Sequence, residues 1–156
     1  MRLAHPSVNV RLNVDNWWSL LERLTAEKLD FFISDIREIP PCDDITMQPL
    51  GTLKGGLFCR VGHPLLCKAP LNLADLAGVQ FASVYMPEIV KTGLNALLAP
   101  FTGAPVQVVF ECESAVATRE FIRRTDVVLL ACEEAIRVEL ECGLLHELPV
   151  RQLRFT

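Results

Sequence analysis

Two pairs in the sequence, Cys59-x3-His63 and Cys142-x3-His146, each set a sulfur and an imidazole nitrogen four residues apart. A structural zinc needs a tetrahedral set of converging ligands. His63 precedes Pro64 in a loop and Gly143 interrupts the second pair, so no metal site is expected from them. A nucleophilic cysteine needs a nearby base and an electropositive pocket. Cys132, at the start of a predicted helix, fits best, because a helix N-terminus lowers a thiol pKa. Glu133 and Glu134 follow at once and push the other way. Cys59 sits in the apolar run Leu57-Phe58-Cys59, and the chain has three histidines in all to serve as bases. The nucleophile elbow G-x-S-x-G, the dinucleotide fingerprint G-x-G-x-x-G, the P-loop and H-E-x-x-H are all absent. These residues predict neither an enzyme nor a cofactor.

Six cysteines could form three disulfides. No C-x-x-C occurs, and several lie in apolar runs, where a free thiol behaves as a small hydrophobe. Reduced, structural thiols and a cytoplasmic location are the reading. Nineteen acids against fifteen bases give a net charge of −4. That excludes a chain that grips nucleic acid by itself, since phosphate binding needs a basic face. No apolar run approaches the roughly 20 residues of a membrane helix. Met1-Arg2-Leu3-Ala4 leads into His-Pro rather than the apolar core of a signal peptide.

The elements that position polar residues follow from periodicity. Val8–Val14 alternates apolar and polar residues, as a half-buried strand does. Asp15 or Asn16 caps a helix to about Lys28, with Trp17, Leu21, Leu24 and Lys28 on one face. Asp30–Ser34 is a strand-length apolar run, completing one β-α-β unit. Ile45–Leu50 and Leu57–Val61 read as strands around a glycine-containing turn, and Asn72 caps a single turn ending at Gly78. A second run follows: strand Val79–Val84, a helix from Pro87 to Pro100, strand Val106–Phe110 and helix Ala115–Arg124. It continues with the buried strand Val127–Ala131, a helix Cys132–Cys142 stopped by Gly143, and strands Leu144–Leu148 and Gln152–Phe155. Such alternation specifies an α/β fold with helices covering largely parallel sheets. Two lobes are expected: residues 1–56, and residues 57–156 with crossing strands near 57–61 and 152–156.

In open α/β sheets, ligands sit outside the carboxyl ends of the strands, where loops lead into helix N-termini. Those loops supply the candidate ligand contacts Asp15, Asn16, Trp17, Ser34, Ser83, Tyr85, Glu113 and Ser114. They are short polar side chains with two aromatic anchors. The sequence leaves the ligand's identity and charge open.

Several segments, in order, resemble the effector-binding domain of LysR-type transcriptional regulators. They are His5-Pro6-x-Val8-x-Val10-x-Leu12, Leu24-x4-Leu29-Asp30, His63-Pro64-Leu65-Leu66, Leu71-x-Leu73-x-Asp75-Leu76-Ala77, Glu113-Ser114-Ala115 and Gly143-Leu144-Leu145-x-x-Leu148. The resemblance implies two subdomains like those of type 2 periplasmic binding proteins, with a small-molecule inducer between them. It also implies a fragment truncated at both ends, without the family's winged helix-turn-helix. Two departures stand out. Glu27 occupies a position where the family usually has a left-handed glycine, a conformation that costs another residue about 1 kcal/mol. Thr125-Asp126 replaces a G-x-G, and Cys132 a proline.

The resulting expectation is a small-molecule sensor and oligomerisation domain of a bacterial transcriptional regulator. It would pair as a homodimer or higher oligomer through the Trp17–Lys28 and Ala115–Arg124 helices. DNA would be reached only through the absent helix-turn-helix, and no membrane is involved. The competing classes are a solute-binding protein of a transport system and a small α/β enzyme using Cys132 or Cys59.

Overall fold

The computed structural model describes residues 4–68, 70–151 and 153. The chain divides into two compact units, Met1–Ile45 and Thr46–Thr156.

The first unit holds helix α1, Trp17–Thr25. Asn16 caps it: its side chain accepts the Ser19 N–H at 2.9 Å. Leu20 is the buried residue of its apolar face. The helix ends three residues before the expected Lys28, in a left-handed cap at Glu27, φ +56°. There the Lys28 N–H reaches back to the Arg23 carbonyl at 2.8 Å and the Glu27 N–H to Leu24 at 2.9 Å. A non-glycine residue thus carries the strained position that the sequence pointed to. The strands expected at Val8–Val14, Asp30–Ser34 and Ile45–Leu50 are not formed. Their alternation is present, but a strand exists only through a ladder partner and a covered face. Neither is supplied among the described residues: Val10, Leu12 and Val14 are 64%, 84% and 82% exposed, and Phe31 and Ile33 are also exposed. The β-α-β unit expected here is therefore reduced to its helix.

The second unit is a mixed α/β layer built on one open sheet. Its strands are β1 (Gly55–Arg60), β2 (Gln80–Ser83), β3 (Gln107–Glu111), β4 (Val128–Cys132) and β5 (Leu145–Glu147), in the order β3-β2-β4-β1-β5. β2 runs parallel to both β3 and β4, whereas β1 is antiparallel to β4 and β5. The sheet is thus parallel at its core and antiparallel on one side, not largely parallel throughout. Period-2 alternation splits the core between two faces. Leu57, Cys59, Phe81, Val128 and Leu130 join Leu94 and Leu98 of helix α2 (Glu88–Thr102) on one face. Phe58, Ala82 and Leu129 join Ile122 of helix α3 (Ala115–Arg123) and Ile136 on the other. Helix α4 (Arg137–Glu141) follows a short 3-10 turn, Glu133–Ile136, where one continuous helix was expected. Gly143 then stops it at φ +65°. α2 runs two residues past Pro100, whose missing N–H falls in the last turn, and ends at left-handed Gly103. The turn after Asn72 is the 3-10 segment Leu73–Leu76, clamped by the Asn72 N–H on Asp75 Oδ2 at 2.8 Å. Of the expected closing strand, residues 152 and 154–156 lie outside the described residues.

β3 forms one edge of the sheet. A bulge places Val109 between the Phe81–Val108 and Ala82–Phe110 pairs. Such an interruption discourages another strand from adding there. Phe110 anchors this edge to α3 by stacking on Phe121, with ring centroids 4.2 Å apart.

Candidate functional site

The connections around β2 define the site. From β2 the chain passes through α2 on one face to β3, then through α3 on the opposite face to β4, on the other side of β2. The carboxyl end of β2 is therefore a topological switch point, where loops diverge to the two faces, the place at which open α/β sheets hold their ligands. Ser83 ends β2 there, 3% exposed. Its carbonyl accepts the Cys112 N–H at 3.2 Å, tying the end of β2 to that of β3. Tyr85 lies two residues on, half-buried. The Met86 N–H donates to Glu111 Oε1 at 3.3 Å across the same edge.

Glu113 and Ser114 follow Cys112 into α3. Ser114 is its cap, its Oγ accepting the Ala117 N–H at 3.3 Å. The buried Thr118 hydroxyl donates to Cys112 O at 3.2 Å and Ser114 O at 3.0 Å. Ser83 and the Glu113–Ser114 loop are thus joined through Cys112. Glu111, Cys112 and Thr118 are the supports that sequence reasoning missed. The one available signal was a threonine four residues after the capping serine, the spacing at which a hydroxyl bonds back to a helix carbonyl.

At the far side of this edge β1 begins, opposite Cys132. Lys54, just before it, meets Glu133 at 3.2 Å and Glu147 at 3.4 Å. The hydrogen bond to Glu133, then the charge of Glu147, raise the lysine's pKa above its ordinary range. This cation went unnoticed because its partners lie far away in sequence.

The candidates of the first unit form a separate set. Asp15 Oδ2 accepts the Ser19 hydroxyl at 2.7 Å and Oδ1 the Asn16 N–H at 2.9 Å. These bonds, the Ser19 one foremost, hold the Asp15 carboxyl below its usual 3.8. Trp17 packs edge-on against Trp18 with centroids 5.7 Å apart. Trp17 Nε1 is buried without a hydrogen-bond partner among the described residues. Ser34 lies in a segment without regular secondary structure, its hydroxyl donating to the Asp35 carbonyl at 3.2 Å.

The residues weighed for catalysis or metal binding are placed otherwise. His63 is buried: Nδ1 accepts the Leu65 N–H at 3.1 Å, and Nε2 lies 3.0 Å from the Asp126 carbonyl. With Nδ1 accepting, Nε2 is the ring's donor toward the Asp126 carbonyl. Both nitrogens are thereby committed to holding the Gly62–Leu65 turn. Arg60 reinforces it, with Nη2 2.6 Å from Asp126 Oδ1. Cys59 is fully buried, and burial pushes its thiol up to about 11, away from a reactive thiolate. None of the six cysteines is in a disulfide; Cys67 and Cys142 are exposed and Cys59 alone is buried. The expectation that the cysteines are core residues thus holds for Cys59. Cys112, Cys132 and Cys142 lie at or just past the ends of elements, where one flank meets solvent. No group of three or more metal-ligating side chains forms among the described residues.

Known proteins share this architecture. Residues 1–156 match the family described as LysR substrate binding domain. An SDS degradation transcriptional activation protein from a Pseudomonas strain is 35% identical over 144 residues, covering 91% of this chain. The match takes in 46% of that relative's own length. Among solved structures, the Synechocystis CcmR regulatory domain in complex with 2-PG superposes with a TM-score of 0.70 at 18% identity. That match covers 98% of this chain and 74% of the other. HinK, a LysR family transcriptional regulator from Pseudomonas aeruginosa, gives 0.69 at 18% identity, over 99% and 53% of the two chains.

Proposed function

The chain belongs to the LysR substrate-binding domain family, and on that premise we propose that it is the effector-sensing part of a bacterial transcriptional regulator. The observation that carries this reading is the switch point at the carboxyl end of β2. There the Ser83 carbonyl, two residues before Tyr85 on the chain leaving β2, and the capped Glu113–Ser114 loop are joined through Cys112. The effector is a small organic molecule. One structural relative, the CcmR regulatory domain, was solved in complex with 2-PG, a small molecule, which supports this reading.

Binding is reversible and carries no chemistry: Cys59 is held as a thiol, and both His63 nitrogens are spent on the fold. Control follows from differential affinity for two arrangements of the subunits, since a ligand that binds both equally shifts nothing. The family membership and the regulators among its relatives speak against the transport and cysteine-enzyme alternatives. The subunits pair as a homodimer or higher oligomer in the cytoplasm, and DNA is reached through a helix-turn-helix outside these residues. Trp18, 46% exposed, is a residue that such pairing covers.

Native mass spectrometry tests the reading. The protein should carry a co-purified metabolite that it does not turn over. Ser114→Trp should lose that metabolite, while the missing cap lowers stability by only about 1 kcal/mol. Undiminished binding in the tryptophan variant overturns the site.

A further inference from the structure

Glu139 on α4 is 7% exposed, and among the described residues its side chain makes one hydrogen bond, from Arg119 Nη1 to Oε1 at 2.9 Å. Its other oxygen, Oε2, is buried with no hydrogen-bond partner among the described residues. A carboxylate withdrawn from water with half its acceptors unused is a poor stabiliser, and hydrophobic residues of similar volume would often serve the fold as well. The placement of the pair supplies a different use. Arg119 is on α3 and Glu139 on α4. α3 starts at the loop leaving β3, and α4 follows β4 through the turn Glu133–Ile136. The other ion pairs of α3 are local: Glu120 with Arg123 at 3.1 Å and with Arg124 at 3.0 Å. Among the described residues, Arg119–Glu139 is the ion pair that ties α3 to α4. Arg119 directly follows Thr118, whose hydroxyl grips Cys112 O and Ser114 O. Cys112 in turn holds the end of β2 through the Ser83 carbonyl.

We propose that Glu139, acting through Arg119, is a positioning residue that holds the N-terminal turn of α3, and so Ser114, in register with the carboxyl end of β2. Its importance for effector binding rests on the function proposed above; its test needs no effector. Amide hydrogen exchange on the full chain reads it directly. In Glu139→Gln the side-chain volume stays and the charge goes. The Ala117 and Thr118 amides, which bond to Ser114 Oγ and Ser114 O, should then exchange about tenfold faster. The Leu148 amide, bonded to Leu57 O in the sheet at 2.8 Å, should keep its protection. Faster exchange at all three amides would mean a merely structural pair, and no change at Ala117 and Thr118 would mean no strut; either result overturns the proposal. Should Glu139→Gln fail to fold, Arg119→Gln is followed at the same three amides, where the same pattern supports the proposal and the same two departures overturn it. An effector found elsewhere on the chain would leave this result standing, which separates the two ideas.

Discussion

Val8–Val14 and Leu57–Arg60 begin from similar material, short β-prone runs with side chains alternating across the chain, and meet opposite fates. Leu57, Phe58 and Cys59 are at most 2% exposed, sandwiched between α2 on one face and α3 on the other. Val10, Leu12 and Val14 stand in solvent beside a single helix. What separates them is company: β1 has β4 and β5 as ladder partners and a helix over each face, and the first unit supplies neither among its described residues. The site follows the same division. In the second unit Ser83, Cys112, Ser114 and Thr118 hold one another; in the first, polar groups serve the local cap of α1.

The largest test of this contrast is core truncation. Phe81→Ala should cost about 3–5 kcal/mol, because Phe81 is fully buried in the sheet and its loss leaves a cavity. Leu12→Ala should stay within about 0.5 kcal/mol, as at any exposed site. Urea unfolding measures both, and equal costs would break the contrast. A smaller effect of opposite sign is expected at Glu27. Glu27→Gly should stabilise by about 1 kcal/mol, since glycine takes the left-handed conformation without strain. A thermal melt monitored through the neighbouring tryptophans of α1 reports it, and destabilisation would mean that the cap carries no such strain. The thiols give the finest distinction. A thiol reagent should reach Cys67 and Cys142 at once in the native protein and Cys59 only on unfolding, and denaturation should expose six free thiols in all. Fewer than six without reductant would reveal a disulfide.

Much of the second unit was legible because its signals are local. Ser114 caps a helix in sequence and in structure, Gly143 stops one, and the apolar run at Val128–Leu130 has room for nothing but a buried strand. Glu27 was legible as well, as a departure from a glycine, and its positive φ carries the anticipated strain. The failures are non-local. Alternation at Val8–Val14 states a preference, but among the described residues no ladder partner meets it. The antiparallel placement of β1, and with it the meeting of Lys54 with Glu133 and Glu147, depends on pairings dozens of residues apart. The Arg119–Glu139 contact is hidden for the same reason.

The central claim, that effector binds at the carboxyl end of β2, is most directly tested by mapping amide chemical shifts on adding back the metabolite recovered with the protein. The account predicts changes concentrated at Ser83–Met86 and Cys112–Thr118. Changes centred instead on His63, Leu65 and Asp126, at the opposite end of the sheet, would contradict it.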